Sequence, residues 1–231
     1  MLQCMQCMHS ILYGDIMNNQ ENVKIQIREL AKKYREELKL RVFERVKEMS
    51  ADDNSHFLVY RILGIPFEEG INIDIYQNKG RFLYKYAGSF LEQATIMCFK
   101  AKFPEAQEKV MIKNTIGKRP NEFEIDCLVN NNACEIKWRD ATTDGDHITK
   151  EHTRIKVISD AGFKPIRIMF YYPNRTQAIR IQKTLETLYH GIGGEYYFGD
   201  SAWQYVQKET EIDLLKILEE VALEVENEQC D

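Results

Sequence analysis

The centre of the chain carries three charged residues whose types and spacing fit chemistry on a phosphate. Asp126, Glu135 and Lys137 form the pattern Asp-x₈-Glu-x-Lys. Two neighbouring carboxylates can share a divalent cation, because Mg²⁺ takes one or two carboxylates together with waters and phosphate oxygens. A lysine on the same face can neutralise a phosphate or orient an attacking water. The pattern therefore predicts a site at which Mg²⁺ and Lys137 act on a phosphate group.

A short β-hairpin is predicted to position these residues. Residues 123–129 and 133–138 have the composition of strands and are separated by Asn130-Asn131-Asn132. Asn tolerates positive φ, so we predict a two-residue type I′ turn at Asn130-Asn131, which pairs Val129 with Asn132. A change of one residue in this turn would move Asp126 to the other face, so the site depends on this register.

In the predicted register, Asp126 lies opposite Glu135, and Glu124 lies opposite Lys137, on one face of the hairpin. The residues that alternate with them point into the core, and they are Ile125, Cys127, Cys134 and Ile136. Like charges that face each other across a ladder repel and are normally avoided. A divalent cation between Asp126 and Glu135 removes that repulsion, which is why we predict one there.

The segment before the hairpin is predicted to be helical around Glu92. A helix over residues 82–102 has a broad buried face with Glu92 beside it, and a strand follows over residues 109–113. Glu92 either supports the site or is merely solvated. Further upstream, residues 71–75 contain three isoleucines that alternate with polar residues, and this alternation predicts a short strand.

The N-terminal third is predicted to be dominated by one long helix. Apolar residues recur every three or four positions from Asn19 to Met49, which indicates an amphipathic helix that is an arm over the core, a dimer element or only a packing element. Residues 1–18 fit no regular pattern, and we expect an irregular segment there. Cys4-x-x-Cys7-x-His9 has metal-like spacing, but no second Cys/His pair follows nearby to complete a tetrahedral site.

After the hairpin, helices and strands alternate. The predicted elements are a polar loop over 139–146, a helix to Ala161, a hydrophobic strand over 164–172 and a helix over 176–189. His147, Lys150 and Arg154 share one face of the first helix, where they meet phosphates or base edges or are simply a solvated basic face. The order of elements predicts an α/β fold with a mixed central β-sheet flanked by helices.

With Asp126, Glu135 and Lys137 in this order of elements, the chain resembles the PD-(D/E)xK nuclease superfamily, which includes most type II restriction endonucleases. Within that superfamily it resembles the ApaLI-like restriction endonucleases. The stretches that carry the resemblance are GKRPNEFEIDCLV, CEIKWRDATTDGDHITKEHTR and KPIRIMFYYPNRTQAIRIQ. One departure from the superfamily pattern is Ile125, which stands where Pro precedes the Asp. The resemblance implies a restriction-endonuclease-like core, here with a long N-terminal helix.

The resemblance also implies roles for individual residues. Asp126 and Glu135, with the main-chain carbonyl of Ile136, would bind Mg²⁺, and Lys137 would position or help deprotonate the attacking water. Glu92 matches an acidic position that supports this metal or a second one. The implied reaction is hydrolysis of a phosphodiester bond in duplex DNA, which leaves 5′-phosphate and 3′-hydroxyl ends.

The partners implied by the resemblance are double-stranded DNA, a second copy of the chain and a cognate DNA methyltransferase. A two-fold dimer would read a short palindrome, with each subunit on one half-site, and the narrower match implies the target GTGCAC. We expect the DNA contacts in two loops and on the helix that follows the hairpin. The candidate residues are Lys118, Arg119, Arg139, Asp140, Thr142, Thr143, Asp146, His147, Lys150 and Arg154.

On this basis the chain is divided into four segments. We expect an irregular segment over residues 1–18, a helical arm over 19–80, the nuclease core over 81–190, and a C-terminal loop with an acidic packing helix over 191–231. None of them holds an apolar run near the roughly 20 residues that a membrane span needs.

Composition and charge refine the expected partners. The 231 residues carry a net charge of −5, which taken alone argues against nucleic acid. Residues 209–231 hold nine acidic side chains against one lysine, whereas residues 147–183 hold eight basic side chains against two acidic ones. We therefore expect DNA to meet the basic segment. The six cysteines are scattered, which is typical of reduced thiols and predicts a cytoplasmic protein.

Two other functions remain open from the residues alone. One is a structure-specific nuclease of the same fold, such as a junction-resolving or repair enzyme. The other is a non-catalytic DNA-binding protein whose carboxylates form only a salt-bridge network. Cleavage of a plasmid into discrete fragments would distinguish a restriction endonuclease from a structure-specific nuclease. Loss of that cleavage in Glu135→Ala and Lys137→Ala would exclude a non-catalytic protein.

Overall fold

The computed structural model describes residues 2–117, 119–139 and 146–228, with side chains from residue 19 onward. The helices are α1 (Leu2–Ser50), α2 (Phe57–Ile62), α3 (Phe67–Lys102), α4 (Asp146–Asp160), α5 (Thr176–Gly191), α6 (Asp200–Thr210) and α7 (Leu214–Glu228). The strands are β1 (Gln107–Lys113), β2 (Glu122–Val129), β3 (Asn132–Arg139), β4 (Lys164–Tyr171) and β5 (Glu195–Phe198).

The five strands form one mixed sheet in the order β1-β2-β3-β4-β5. The first two pairings are antiparallel, and β3–β4 and β4–β5 are parallel. The parallel pairings require crossovers, which α4 and α5 provide. Strand β3 therefore lies between an antiparallel and a parallel neighbour. This arrangement confirms the predicted α/β class, with a mixed central sheet and flanking helices.

The β2–β3 hairpin has the register that the sequence predicts. Val129 pairs with Asn132, Leu128 with Ala133 and Cys127 with Cys134. Asn130 has φ 52, but Asn131 is not among the described residues with positive φ. A type I′ turn needs positive φ at both central residues, so the predicted turn type is wrong although the pairing is right.

Helices cover both faces of the sheet. On one face, a buried cluster joins α4, β4, α5 and β5, and its members are Ile155, Met169, Ile181, Leu185, Tyr189 and Tyr196. On the other face, Phe170 of β4 packs against Trp203 of α6, with ring centroids 4.2 Å apart. Met169 and Phe170 are consecutive, and side chains alternate along a strand, so the two clusters lie on opposite faces.

The chain divides into two compact units, one of residues 1–28 with 91–231 and one of residues 29–90. The first unit contains the sheet, and in it Lys24 and Arg28 of α1 form ion pairs with Glu220 and Glu224 of α7. The second unit contains α2 and the adjoining parts of α1 and α3.

The region before the hairpin differs from the sequence expectation in two places. Residues 71–75, predicted as a strand, belong to helix α3, which begins at Phe67. Ile71 and Ile75 are half-buried and Ile73 is exposed, which is the pattern of a helix face, and an alternation of five residues is too short to distinguish the two. Helix α1 begins at Leu2, so residues 2–18 of the segment that was expected to be irregular are helical. No proline interrupts that segment, and helix propagates readily from an established stretch.

The segment after residue 191 also contains more structure than a loop and a packing helix. Strand β5 adds to the sheet beside β4, and helix α6 follows it at once. A strand of four residues is too short to show a period, and its position depends on pairing with β4, which is distant in sequence. The acidic helix expected at the C-terminus is present as α7.

Candidate active site

The paired part of the β2–β3 hairpin ends immediately before the predicted site. Among the described residues, no ladder pair joins the two strands beyond Cys127–Cys134, so the predicted pairs Asp126–Glu135 and Glu124–Lys137 are not formed. Instead, the Ile136 N–H donates a hydrogen bond of 2.7 Å to Asp126 Oδ2. In a continued ladder, the Ile136 N–H would donate to a main-chain carbonyl of β2. Here it donates to the Asp126 carboxylate, and this explains why the ladder stops.

The three residues of the Asp-x₈-Glu-x-Lys pattern nevertheless converge. Lys137 Nζ lies 2.5 Å from Glu135 Oε1 and 3.9 Å from Asp126 Oδ2. Both carboxylate side chains are less than 10% exposed, whereas Lys137 is 34% exposed. The ammonium group therefore lies between the two acids at the open side of the site.

Glu92 of α3 belongs to the same electrostatic environment. It is half-buried, and its pKa is raised first by burial and then by the Asp126 carboxylate, while Lys137 and Lys109 act in the opposite direction. Lys109 lies on β1 with φ 54, an unusual backbone conformation for this residue type. Sequence reasoning identified Glu92 but missed Lys109, because nothing in a single strand shows which neighbour it will face.

Arg154 is buried beside the carboxylates rather than exposed to solvent. Its Nη2 forms an ion pair with Glu135 Oε2 and donates a hydrogen bond of 2.7 Å to the Glu124 carbonyl. The side chain is 8% exposed, and burial lowers the pKa of its guanidinium. The expectation that Arg154 reaches DNA from an exposed helix face is therefore corrected, because the buried acids hold the guanidinium inside.

Two residues behind Arg154 were missed by sequence reasoning. Glu151 Oε2 lies 3.7 Å from Arg154 Nη1 and 3.3 Å from Arg167 Nη1. Arg167 of β4 is fully buried and is the register partner of Glu135 in the ladder of β3 and β4. Its Cζ lies 6.0 Å from the centroid of the Tyr196 ring. An arginine inside the hydrophobic run KPIRIMFYY was the available signal, because a buried charge requires a partner.

A surface groove of about 750 Å³ is bordered by residues 119–123 and by helix α4. It is lined by Arg119, Pro120, Asn121, Phe123, Asp146, Thr149, Lys150 and Thr153. Three of the predicted DNA contacts, Arg119, Asp146 and Lys150, thus border one groove. The loop on one side is held by Asn114, whose Oδ1 accepts hydrogen bonds from the N–H groups of Ile116 and Gly117.

The remaining predicted DNA contacts do not line that groove. Arg139 is exposed at the end of β3, and His147 is half-buried in the first turn of α4. Lys118, Asp140, Thr142 and Thr143 lie outside the described residues. The DNA contacts of these four residues therefore stay predictions from the sequence.

The donors at the site suit one hard divalent cation of the Mg²⁺ kind. Within the ranges that the structure describes, no three His, Cys, Asp or Glu side chains are grouped closely enough to hold a metal by themselves. Mg²⁺ needs only one or two carboxylates, since water and substrate complete its shell. Asp126 and Glu135 supply two buried carboxylates, and a protein cation already lies between them, with Lys137 Nζ 2.5 Å from Glu135 Oε1 and 3.9 Å from Asp126 Oδ2. The residues present therefore fit the ion.

The mixed five-stranded sheet with flanking helices is consistent with the restriction-endonuclease-like class of α/β proteins. The sequence model of the ApaLI-like restriction endonuclease family matches residues 17–223, which is most of the chain. The chain belongs to the ApaLI-like restriction endonuclease family. It is thus a type II restriction endonuclease in general terms, and therefore a nuclease that binds DNA.

No curated protein and no solved structure matches the chain. Throughout the stretches that the structure describes, every helix is too short or too polar to cross a membrane.

Proposed function

We propose that the protein hydrolyses phosphodiester bonds of duplex DNA at a short palindromic site, with Mg²⁺ as its cofactor. The observation that carries this proposal is the convergence of Asp126, Glu135 and Lys137 at the point where the hairpin opens. The family membership supports the nuclease activity, and the donor set supports the ion.

Each residue of the site has a distinct proposed task. Asp126 and Glu135 would hold Mg²⁺, together with the Ile136 carbonyl, and Glu92 would support them from α3. When bound, the metal acts as a Lewis acid on the phosphate and lowers the pKa of a bound water. Lys137 is the cation of the Asp-x₈-Glu-x-Lys pattern, and it is accessible to solvent. It orients the attacking water or neutralises the scissile phosphate.

Buried carboxylates would repel DNA unless cations guide the backbone past them. Arg119 and Lys150 are exposed on opposite sides of the groove, and we propose that they bind phosphates there. Arg139 is the last residue of the strand that carries Glu135 and Lys137, and residues 140–146 come next in the sequence. We propose that Arg139 and this segment, with His147, contact base edges next to the scissile phosphate.

The proposed biological setting follows from the family. A two-fold homodimer would place one site on each strand of a palindrome, for which the proposed sequence is GTGCAC. A cognate DNA methyltransferase would protect the host's own sites. Cys98, Cys127 and Cys134 are free thiols, which supports a reducing compartment, and we propose the cytoplasm.

Digestion of a sequenced plasmid with and without MgCl₂, followed by sequencing of the ends, tests this proposal. We expect discrete fragments with 5′-phosphate ends at one palindrome, only when Mg²⁺ is present. Glu135→Gln and Lys137→Met should lose cleavage by at least about 100-fold, since each removes a charge that acts on the phosphate or its metal. Lys156→Ala is a matched control, because Lys156 is exposed on α4 and pairs with Asp160.

Other outcomes would point to the alternatives. Cleavage at junctions or flaps without sequence preference would indicate a structure-specific nuclease. Mg²⁺-independent DNA binding without cleavage would contradict an enzymatic role and leave a DNA-binding protein.

A further inference from the structure

The carboxylates of the site are already balanced by cations of the protein. Four acids lie in or beside the site, and they are Glu92, Asp126, Glu135 and Glu151. Three cations form ion pairs with these acids, and they are Lys137, Arg154 and Arg167, while Lys109 also acts on Glu92. A divalent ion that enters this cluster meets almost as much positive charge as negative charge. The identity of the cation nearest to the proposed metal ligands therefore matters for how tightly the ion binds.

Arg154 is the buried cation in direct contact with a proposed ligand. It occupies Oε2 of Glu135, and Lys137 occupies Oε1 at 2.5 Å. The two cations differ in mobility, because Lys137 is 34% exposed and Arg154 only 8%. Lys137 can swing toward solvent when an ion arrives. Arg154 cannot, since its Nη2 also donates to the Glu124 carbonyl and its Nη1 lies 3.7 Å from Glu151.

Arg154 also connects the two strands where their ladder is interrupted. The Glu124 carbonyl belongs to β2 and the Glu135 carboxylate belongs to β3, and no ladder pair joins these positions in the described hairpin. The guanidinium bridges them from α4. Its planar set of donors suits such a bridge, whereas an ammonium offers no fixed fork.

We propose that Arg154 is a positioning residue that acts as a built-in counter-cation for Glu135. It holds Oε2, so that Glu135 presents only Oε1 to a metal ion, and its fixed charge keeps the affinity of the free enzyme for a divalent cation low. The inference rests on the proposed function, because it takes Glu135 to be a metal ligand. It assigns Arg154 no contact with DNA.

The charge and the bridge can be separated by two substitutions. Arg154→Gln removes the charge but keeps an amide donor. Arg154→Lys keeps the charge but loses the planar set of N–H donors that bridges the two strands. The repulsion between a divalent ion and a guanidinium on the same carboxylate acts at short range in a poorly screened site. We therefore expect its removal to outweigh the loss of orientation that usually weakens a metal site.

Titration of the full-length protein with MnCl₂ in a calorimeter, without DNA, provides the readout. Arg154→Gln should bind Mn²⁺ about tenfold more tightly than the wild type, because the repelling charge is gone. It should nevertheless cleave more slowly, because Glu135 is less well held. Arg154→Lys should keep the wild-type Kd within a factor of about two, because the charge is retained. Thermal unfolding checks that each variant is folded. If Arg154→Gln does not fold, Arg154→Met replaces it with the same expectation.

The outcomes distinguish this inference from the proposed function. Weaker Mn²⁺ binding by Arg154→Gln or Arg154→Met would overturn it, because a purely structural arginine predicts that result. Tighter binding by Arg154→Lys would also overturn it, since the charge is retained. If the wild type binds no Mn²⁺ and cuts no DNA, the proposed function itself fails. If the wild type does both and the neutral variants bind as it does, only the role of Arg154 fails.

Discussion

The main-chain N–H of Ile136 donates to the carboxylate of Asp126 at 2.7 Å, at the point where β2 and β3 cease to pair. One oxygen of Asp126 thus has a structural task, and its other oxygen remains for a ligand. Backbone donors that are buried without a partner are costly, so this hydrogen bond stabilises the opened hairpin.

Substitutions at Asp126 should separate these two tasks. Asp126→Asn keeps an acceptor for the Ile136 N–H, whereas Asp126→Ala leaves that buried donor unsatisfied. We expect both variants to lose cleavage, and Asp126→Ala alone to lose about 1–3 kcal/mol of unfolding free energy. Urea unfolding measures the difference. Equal stabilities for the two variants would show that the hydrogen bond contributes nothing.

Lys150 is expected to strengthen DNA binding through a phosphate contact. Lys150→Ala should raise the Kd for a duplex and reduce the slope of log K against log salt by about one, as the loss of one phosphate contact does. Lys156→Ala is the control on the same helix, because Lys156 is exposed but does not line the groove. Fluorescence anisotropy with Ca²⁺ at several salt concentrations checks this. The same slope for Lys150→Ala and wild type would contradict the contact.

The buried pair of Glu151 and Arg167 should be coupled in stability. Their charged atoms lie 3.3 Å apart, and Arg167 is fully buried. Removal of one partner leaves a buried charge uncompensated, so Glu151→Leu and Arg167→Met should each cost about 3–5 kcal/mol of unfolding free energy. The double variant should lose clearly less than the sum. Additive losses in chemical denaturation would rule out the coupling.

The buried cysteines should be unreactive in the folded protein. Burial raises the pKa of Cys98 and of Cys127 to about 12, and that of Cys134 well above its usual range. Because the thiolate is the nucleophile, these thiols should resist iodoacetamide at pH 8 and react fully in guanidinium. Mass spectrometry of the peptides identifies each site. Rapid labelling of any of the three in the native protein would contradict their burial.

Acid should weaken the contact between α1 and α7. The Arg28 guanidinium lowers the pKa of Glu224 from 4.5, so this pair stabilises the fold above the unfolded pKa and loses its effect as pH falls through the folded value. The difference in Tm between wild type and Glu224→Gln should be present at pH 7 and shrink below about pH 4. High salt should also reduce it, because the pair is exposed. A difference that persists in acid would exclude the ion pair as its cause.

The local part of the site could be read from the sequence. A two-residue connection at Asn130-Asn131 fixes the register, and the register places Asp126 near Glu135 regardless of the exact turn type. The strand of residues 71–75 was predicted wrongly because three isoleucines in five residues satisfy a helix face as well as a strand face. Short-range patterns thus succeeded where the chain pairs with its immediate neighbour.

The non-local part of the site could not be read in this way. The periodicity of α4 placed Arg154 on a face with Lys150, but the acids on β2 and β3 determine which of them turns inward. For the same reason, the basic surplus of residues 147–183 overestimated the charge available to DNA. Arg154 and Arg167 are buried, Lys156 pairs with Asp160, and Lys164 pairs with Glu195.

Strand β3 lies between an antiparallel neighbour that is close in sequence and a parallel neighbour that follows a crossover, and this leads us to expect an order of assembly. Asp126 and Ile136 are ten positions apart, so the hairpin closes a short loop at little entropic cost. Arg154 and Arg167 arrive only with α4 and β4, after a crossover that must dock as a unit. We therefore expect Asp126, Glu135 and Lys137 to come together before the two buried arginines are in place. We expect a chain truncated before α4 to form the β2–β3 hairpin without the ion pairs that Arg154 and Arg167 provide in the complete fold.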